Sequence, residues 1–256
     1  GPPYFNLVTG PLTLILAVLV GAGPLLAWRR ESRPVLRKLA PAALVGATAL
    51  AATVILAPSI GLLPRLGIAV AAYLTVAALL PLSGRNPLRA PLATWGMVIA
   101  HLGMGVAIGG AAANAAFTRE KLAVAQAGDT IPVGPWRIQF QGVTPVAGDN
   151  WTALEAELLA SRGSGPVSLR PQTRYFWSPA AETNEAAIET FWNGQLYTVI
   201  GQPAERGGYQ LRLWWKPFVT LIWLGGGLIA LGGLVALAGR LRLRRRKASG
   251  NEWRRA

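Results

Sequence analysis

The chain has 256 residues, is 52% hydrophobic and only 14% charged, and contains no cysteine and a single histidine. Apolar runs of about 18 residues or more put such a composition among membrane proteins, and the missing cysteines exclude disulfides, thiolate metal sites and a cysteine nucleophile within it. The formal charge of +14 would suit a nucleic-acid binder, but residues 118–216 carry nine basic and nine acidic side chains. The whole excess therefore lies beside the apolar segments, and no nucleic-acid partner is expected.

Five apolar runs follow in order, near Pro11–Trp28, Leu39–Ala57, Leu66–Leu82, Leu92–Phe117 and Pro217–Ala238. Each is long enough for a transmembrane helix. Basic clusters follow the first run (Arg29, Arg30, Arg33, Arg37, Lys38), the third (Arg85, Arg89) and the fifth (Arg240 to Lys247, with Arg254 and Arg255). With alternating sides these ends all face one compartment, which the excess of positive charge marks as the cytoplasm. Arg65 is the one basic residue of the short external loop between the second and third runs. The N-terminus is then external, residues 118–215 are external, and the basic tail is cytoplasmic. The chain starts with Gly1 and its long first helix lacks a basic leader region, so no signal peptide is visible and a fragment or processed piece of a longer protein is expected.

Within these runs, Pro2 and Pro3 with Tyr4 and Phe5 predict an extended aromatic entry, and Pro24 predicts a kink inside the first helix. Trp28 and Trp95 fall at cytoplasmic ends, and Trp214 and Trp215 at the external start of the fifth helix, all aromatic-belt positions. Trp223 lies deeper and is expected to pack against another helix.

The external segment reads as strand. In Pro135–Val143, Trp136, Ile138 and Phe140 alternate with Arg137, Gln139 and Gln141, a period of two. Leu196–Ile200 and Tyr209–Trp214 flank a turn-like GQPAERGG and predict a hairpin. Trp151–Leu158 suits a strand, or a short helix on the propensities of Ala, Leu and Glu. Several short strands in this length predict a small antiparallel β domain, of barrel type. Glu182, Glu185 and Glu189, at i, i+3 and i+7, suit one solvated helical face, while Asp149, Glu155 and Glu157 read as solvent-facing charges with no evident partner. The predicted architecture is a polytopic α-helical membrane protein with about five transmembrane helices and an external, mostly antiparallel β domain between the fourth and fifth. Its parts are membrane helices 1–4 (1–117), the β domain (118–215), helix 5 (216–239) and a basic tail (240–256).

His101 stands near the middle of the fourth run, LATWGMVIAHLGMGVAIGGAAANAAF. An ionisable side chain in hydrocarbon is costly, so it is a candidate functional residue. Its neighbours Gly96, Ala100, Gly103, Gly105, Ala107, Gly109 and Gly110 are small, with Gly105 and Gly109 forming a small-xxx-small pair, and admit either another helix or a flat macrocycle. Residue type leaves two readings: a hydrogen-bonded helix contact, or an axial ligand of haem iron. Met97 and Met104 lie too close on the same helix to reach the opposite face of one haem, so a second axial ligand must come from outside the chain or from another copy. One histidine is too few for zinc hydrolysis, and there is no P-loop and no GxGxxG after a strand.

GPPYFN at Gly1–Asn6 with GPL at Gly10–Leu12, AHLGMGVAIGG at Ala100–Gly110, RYFW…EAAIET…LYTVIG across Arg174–Gly201 and WWKPFVTLIWLGGGLIALGG at Trp214–Gly233 form an ordered set over essentially the whole chain. In this combination the sequence resembles the C-terminal part of the CcmF family of cytochrome c-type biogenesis proteins. The resemblance implies a haem lyase subunit of the bacterial inner membrane, with the N-terminus and 118–215 periplasmic, that holds a haem b and supports covalent attachment of haem to apocytochrome c. It implies that His101 is one of two transmembrane histidines ligating that haem iron. The implied partners are CcmH- and CcmI-type subunits, apocytochrome c, a chaperone that delivers haem, the lipid bilayer, and the N-terminal part of the same protein. That part carries the family's WWD segment, two external histidines and the second transmembrane histidine, none of which occurs here. Thioether formation is therefore not expected from this chain alone. Asn184 also stands where the family has threonine in TEAAI. The competing reading is a non-enzymatic membrane scaffold or transporter module in which His101 is structural.

Overall fold

The computed structural model describes residues 4–26, 33–84, 86–205 and 207–252. It resolves into two compact units, Gly1–Ala116 with Leu221–Ala256, and Phe117–Thr220. Gly1 to Pro3, Trp28, Arg29, Arg30, Arg85, Arg254 and Arg255 lie outside the described residues, so the proline entry, one belt tryptophan and parts of the basic clusters have no structural counterpart here.

The helical unit begins with a π-turn at Phe5–Thr9 and contains α1 (Gly10–Ala22), α2 (Arg33–Leu56), α3 (Leu62–Leu79) and α4 (Leu92–Phe117), and then most of α5 (Val219–Glu252). Among the described residues five helices are long and apolar enough to cross a membrane: Leu7–Leu25, Val35–Leu56, Leu62–Leu82, Leu92–Phe117 and Val219–Arg242. This is a multi-pass membrane protein. Pro24 lies within the first span, Leu7–Leu25, but beyond its α-helical part. The α-helix stops at Ala22 and Pro24 sits in a 3-10 turn, Gly23–Leu25. Pro41 is instead the proline carried inside a helix, in α2. Arg65 caps the end of α2, its Nη2 donating to the carbonyls of Ile60 and Pro58 at 3.0 and 3.2 Å. Helix α5 continues to Glu252, so the basic run expected as a separate tail from 240 is helical over its described length. Trp223, expected to pack on a helix, is 73% exposed on this chain.

Packing of α4 is written in glycine. Gly96, Gly103 and Gly110 are spaced by seven residues and face α5, where Gly225, Gly232 and Gly239 repeat the same spacing. A Cβ at Gly103 would stand 2.7 Å from the Gly225 carbonyl oxygen, and one at Gly232 would stand 2.5 Å from the Ala100 nitrogen. The two backbones touch directly. In lipid, helices gain little from apolar burial, so such close van der Waals packing is what holds them together. The other side of α4 meets α3 through Gly105 and Gly109, against Thr75 and Ala71, and through Ala112 against Gly67.

The described residues of the second unit form ten antiparallel strands. One sheet has the order β1 (Arg119–Ala125), β10 (Tyr209–Pro217), β9 (Gly194–Pro203), β8 (Ala187–Phe191). The other has the order β2 (Thr130–Val133), β3 (Trp136–Gly148), β4 (Trp151–Arg162), β6 (Gln172–Trp177), β7 (Ala180–Glu185), with β5 (Ser164–Leu169) also paired to β4. Ile138, Phe140 and Leu158 of the second sheet share one core with Leu196, Ile200, Leu211 and Leu213 of the first. The domain is thus two packed sheets, and the barrel expectation is corrected: neither sheet closes on itself. The period-two reading of Trp136–Gln141 holds residue by residue, with Trp136, Ile138 and Phe140 buried and their neighbours exposed. Trp151–Leu158 is strand, and the predicted hairpin is β9–β10.

Three expectations fail for one reason, since strand alternation overrides local composition. Trp214 and Trp215 belong to β10, not to the helix start, and Trp215 is 6% exposed in the sandwich core beside Trp136 and Phe191. Lys216 and Pro217, assigned to the fifth helix by its apolar run, end the same strand. Glu182 and Glu185 lie on β7 and Glu189 on β8, so the three carboxylates share no helical face.

Candidate functional site

His101 occupies the tenth position of α4, about 13 Å along the helix from Leu92. Its Nδ1 lies 2.8 Å from the backbone oxygen of Met97, one turn earlier. A carbonyl can only accept, so Nδ1 carries the proton, and in the neutral ring Nε2 then holds the free lone pair. The helix itself sets the tautomer and turns the ring, a role that at metal centres normally falls to a neighbouring carbonyl or carboxylate.

The side chain is half-buried. It shares a helix face with Gly105 and Ile108, four and seven residues on, and lies opposite the glycine row that meets α5. Ile108 lines an apolar groove of about 290 Å³ with Thr9, Thr13 and Leu14, with Leu63 and Gly67 of α3, and with Ala112 and Ala115 of α4. The Thr13 hydroxyl donates to the carbonyl of Thr9, four residues earlier, at 2.8 Å, so that wall offers little polar recognition. His101 is not a lining residue. The groove begins about 10 Å further along the same face.

Among the described residues no three histidine, aspartate or glutamate side chains gather as a metal cluster. A single imidazole with a directed lone pair, in an apolar span, suits one axial position of a haem and does not suit a hard cation or a hydrolytic zinc. Met97 contributes its carbonyl rather than its sulfur. Glu155 and Glu157 are not partnerless: Arg170 stands 3.8 Å from the first and 3.9 Å from the second. Sequence reasoning singled out Gly105 and Gly109 but missed the two glycine rows. Their seven-residue spacing was the available signal.

Four closely spaced spans, a two-sheet β domain, a last span and a lone intramembrane histidine define a class: a polytopic membrane protein with a β-sandwich inserted before its final helix. Residues 116–217 match the family model described as the CcmF C-terminal beta-sandwich. The chain is 32% identical over 238 residues to the cytochrome c-type biogenesis protein CcmF of Escherichia coli K12, covering 91% of this chain and 37% of that protein. It is 34% identical over 242 residues to the cytochrome c-type biogenesis protein ccl1 of Rhodobacter capsulatus, with the same coverage of each, 91% and 37%. A solved structure titled Cytochrome c Heme Lyase CcmF superposes with a TM-score of 0.73 at 26% identity, covering 93% of this chain and 40% of that one. The chain belongs to the CcmF family and corresponds to its C-terminal part. It spans well under half the length of these relatives.

Proposed function

We propose that this chain acts in cytochrome c biogenesis as the C-terminal portion of a haem lyase, and that His101 is an axial ligand of a resident haem b. The observation that carries the reading is the Nδ1–Met97 hydrogen bond, which leaves Nε2 as the ligating nitrogen in a ring whose orientation the helix holds. Haem b, when bound, would supply a redox-active iron able to keep an incoming haem reduced. The chain's own part is to present Nε2, to hold its tautomer through the Met97 carbonyl, and to place the ring within an apolar helix. The second ligand, the WWD segment and the thioether chemistry belong to the N-terminal part of the protein. The β-sandwich supports the attachment chamber or partner docking, the partners being CcmH- and CcmI-type subunits, apocytochrome c and a haem-delivering chaperone. In this arrangement the protein lies in the bacterial inner membrane, with the N-terminus and the sandwich periplasmic and the basic end of α5 cytoplasmic.

The same intrahelical bond also suits the reading in which His101 is a structural contact of a scaffold or transporter, because it satisfies one ring nitrogen without any cofactor. Replacing His101 with Ala in the full-length protein separates the two. Loss of a six-coordinate low-spin haem spectrum from the purified membrane protein is expected. Retention of that spectrum would overturn ligation.

A further inference from the structure

The two-residue turn between β8 and β9 has Trp192 at its tip, and the indole is 90% exposed. Turn tips favour Gly, Asn, Asp, Ser and Pro, each for a backbone reason. Trp192 has none, since among the described residues Phe218 is the one non-glycine at positive φ. A lone exposed apolar side chain would need no explanation, but this turn is fastened to a particular place. The Thr220 hydroxyl donates to the Trp192 carbonyl at 3.0 Å, and the Phe218 N–H donates to the Asn193 carbonyl at 2.9 Å. Thr220 is the second residue of the span Val219–Arg242, and Phe218 directly precedes it. Phe218 holds φ at +63° to make the corner from strand to helix, a strained conformation for a residue with a Cβ. Its ring meets Phe117, the last residue of the span Leu92–Phe117, edge to face at 6.2 Å. Two spans therefore end at one phenylalanine pair, and the turn bearing Trp192 is bonded to that same corner.

We propose that Trp192 is a membrane-interface anchor: its indole occupies the lipid headgroup layer at the end of α5 and fixes the depth of the sandwich hairpin β8–β9. Indole suits that layer because it has a large apolar body and one N–H donor that stays hydrated. The two hydrogen bonds, one from the Thr220 hydroxyl and one from the Phe218 N–H, hold the carbonyls of Trp192 and Asn193 at the start of the span. The belt role that the sequence suggests for Trp214 and Trp215 passes to a residue 22 positions earlier than the first of them.

The chain has no cysteine, which makes the test direct. Trp192→Cys, Leu224→Cys within the span and Ala180→Cys on exposed β7 are each spin-labelled in the full-length protein, with any cysteine outside these 256 residues replaced by serine, in phosphatidylethanolamine–phosphatidylglycerol nanodiscs. Collision of the nitroxide with oxygen and with a water-soluble nickel chelate is then measured. The oxygen-to-nickel ratio at 192 is expected to be several-fold above that at 180 and below that at 224. A ratio equal to that at 180 overturns the proposal. Shielding from both quenchers also overturns it, in favour of a protein covering the turn. As a second measurement that adds no label, brominated lipids are expected to quench the parent more than Trp192→Phe; equal quenching counts against the anchor.

Discussion

His101 donates from Nδ1 to the carbonyl of Met97, 2.8 Å away and one turn earlier in α4. The relationship fixes a proton on one ring nitrogen and a lone pair on the other. With one histidine in the chain, ¹⁵N-histidine labelling reports this ring alone. In haem-free protein at a pH where the ring is neutral, the Nδ1 resonance is expected at the protonated position and Nε2 at the unprotonated one. The reverse assignment would remove the geometric support for ligation through Nε2.

The α4–α5 contact is predicted to tolerate no side chain at its glycines. A Cβ at Gly103 meets two backbone atoms, the Gly225 oxygen at 2.7 Å and the Ile229 nitrogen at 2.8 Å, and backbone cannot step aside. Gly103→Ala should cost about 1–3 kcal/mol through overpacking. Gly233→Ala, where nothing lies within 4 Å, should be neutral or slightly stabilising. Thermal unfolding midpoints in detergent will check the contrast, and equal midpoints for the two variants would refute it.

Thr173 on β6 is 3% exposed, and its hydroxyl lies 3.1 Å from the carbonyl of Ile200 on β9. It joins the two sheets, and the Asn184 side chain completes the set at 3.0 Å. Thr173→Val preserves shape but leaves the buried carbonyl of Ile200 without the hydroxyl donor, so a loss of about 1–3 kcal/mol is expected. Thr183→Val, on an exposed strand, is the control. Denaturation followed by tryptophan fluorescence would show no difference between them if the bridge contributes nothing.

Phe218 is held at φ +63° between strand and helix. A left-handed conformation costs a residue with a Cβ about 1–2 kcal/mol, more for a β-branched one, and costs glycine nothing. Phe218→Val should therefore unfold at lower temperature than Phe218→Gly, although valine retains more apolar surface. The opposite order would mean that the ring contact with Phe117, not the backbone, governs this corner.

Much of the fold is legible in the residues. Hydropathy over about 20 positions marks all five spans, and alternation marks β3 and the β9–β10 hairpin, because each signal is carried by neighbours in sequence. The misreadings share a cause. Trp214 and Trp215 precede an apolar run and so look interfacial, yet in β10 one points out of the sandwich and the next points in. Glu182, Glu185 and Glu189 have helical spacing by coincidence, and the break at Ala186 divides them between two strands of different sheets. At the candidate site, residue type alone singled out His101. Its tautomer follows from a bond within one helical turn, but from a geometry that residue type does not specify.

The sequence by itself determined how many segments can cross a membrane, that one segment between them is β-rich and neutral, and that one imidazole is the available nitrogen ligand among the side chains in the spans. These are local sums of hydropathy, charge and periodicity. Only the tertiary structure decided that the sheets pack as a sandwich rather than closing, that Gly103 lies against Gly225, and that the turn bearing Trp192 is bonded to the first residues of α5. Each of those depends on atoms brought within hydrogen-bonding or van der Waals range from positions far apart in the chain, and at such separations composition carries no information about which residues meet.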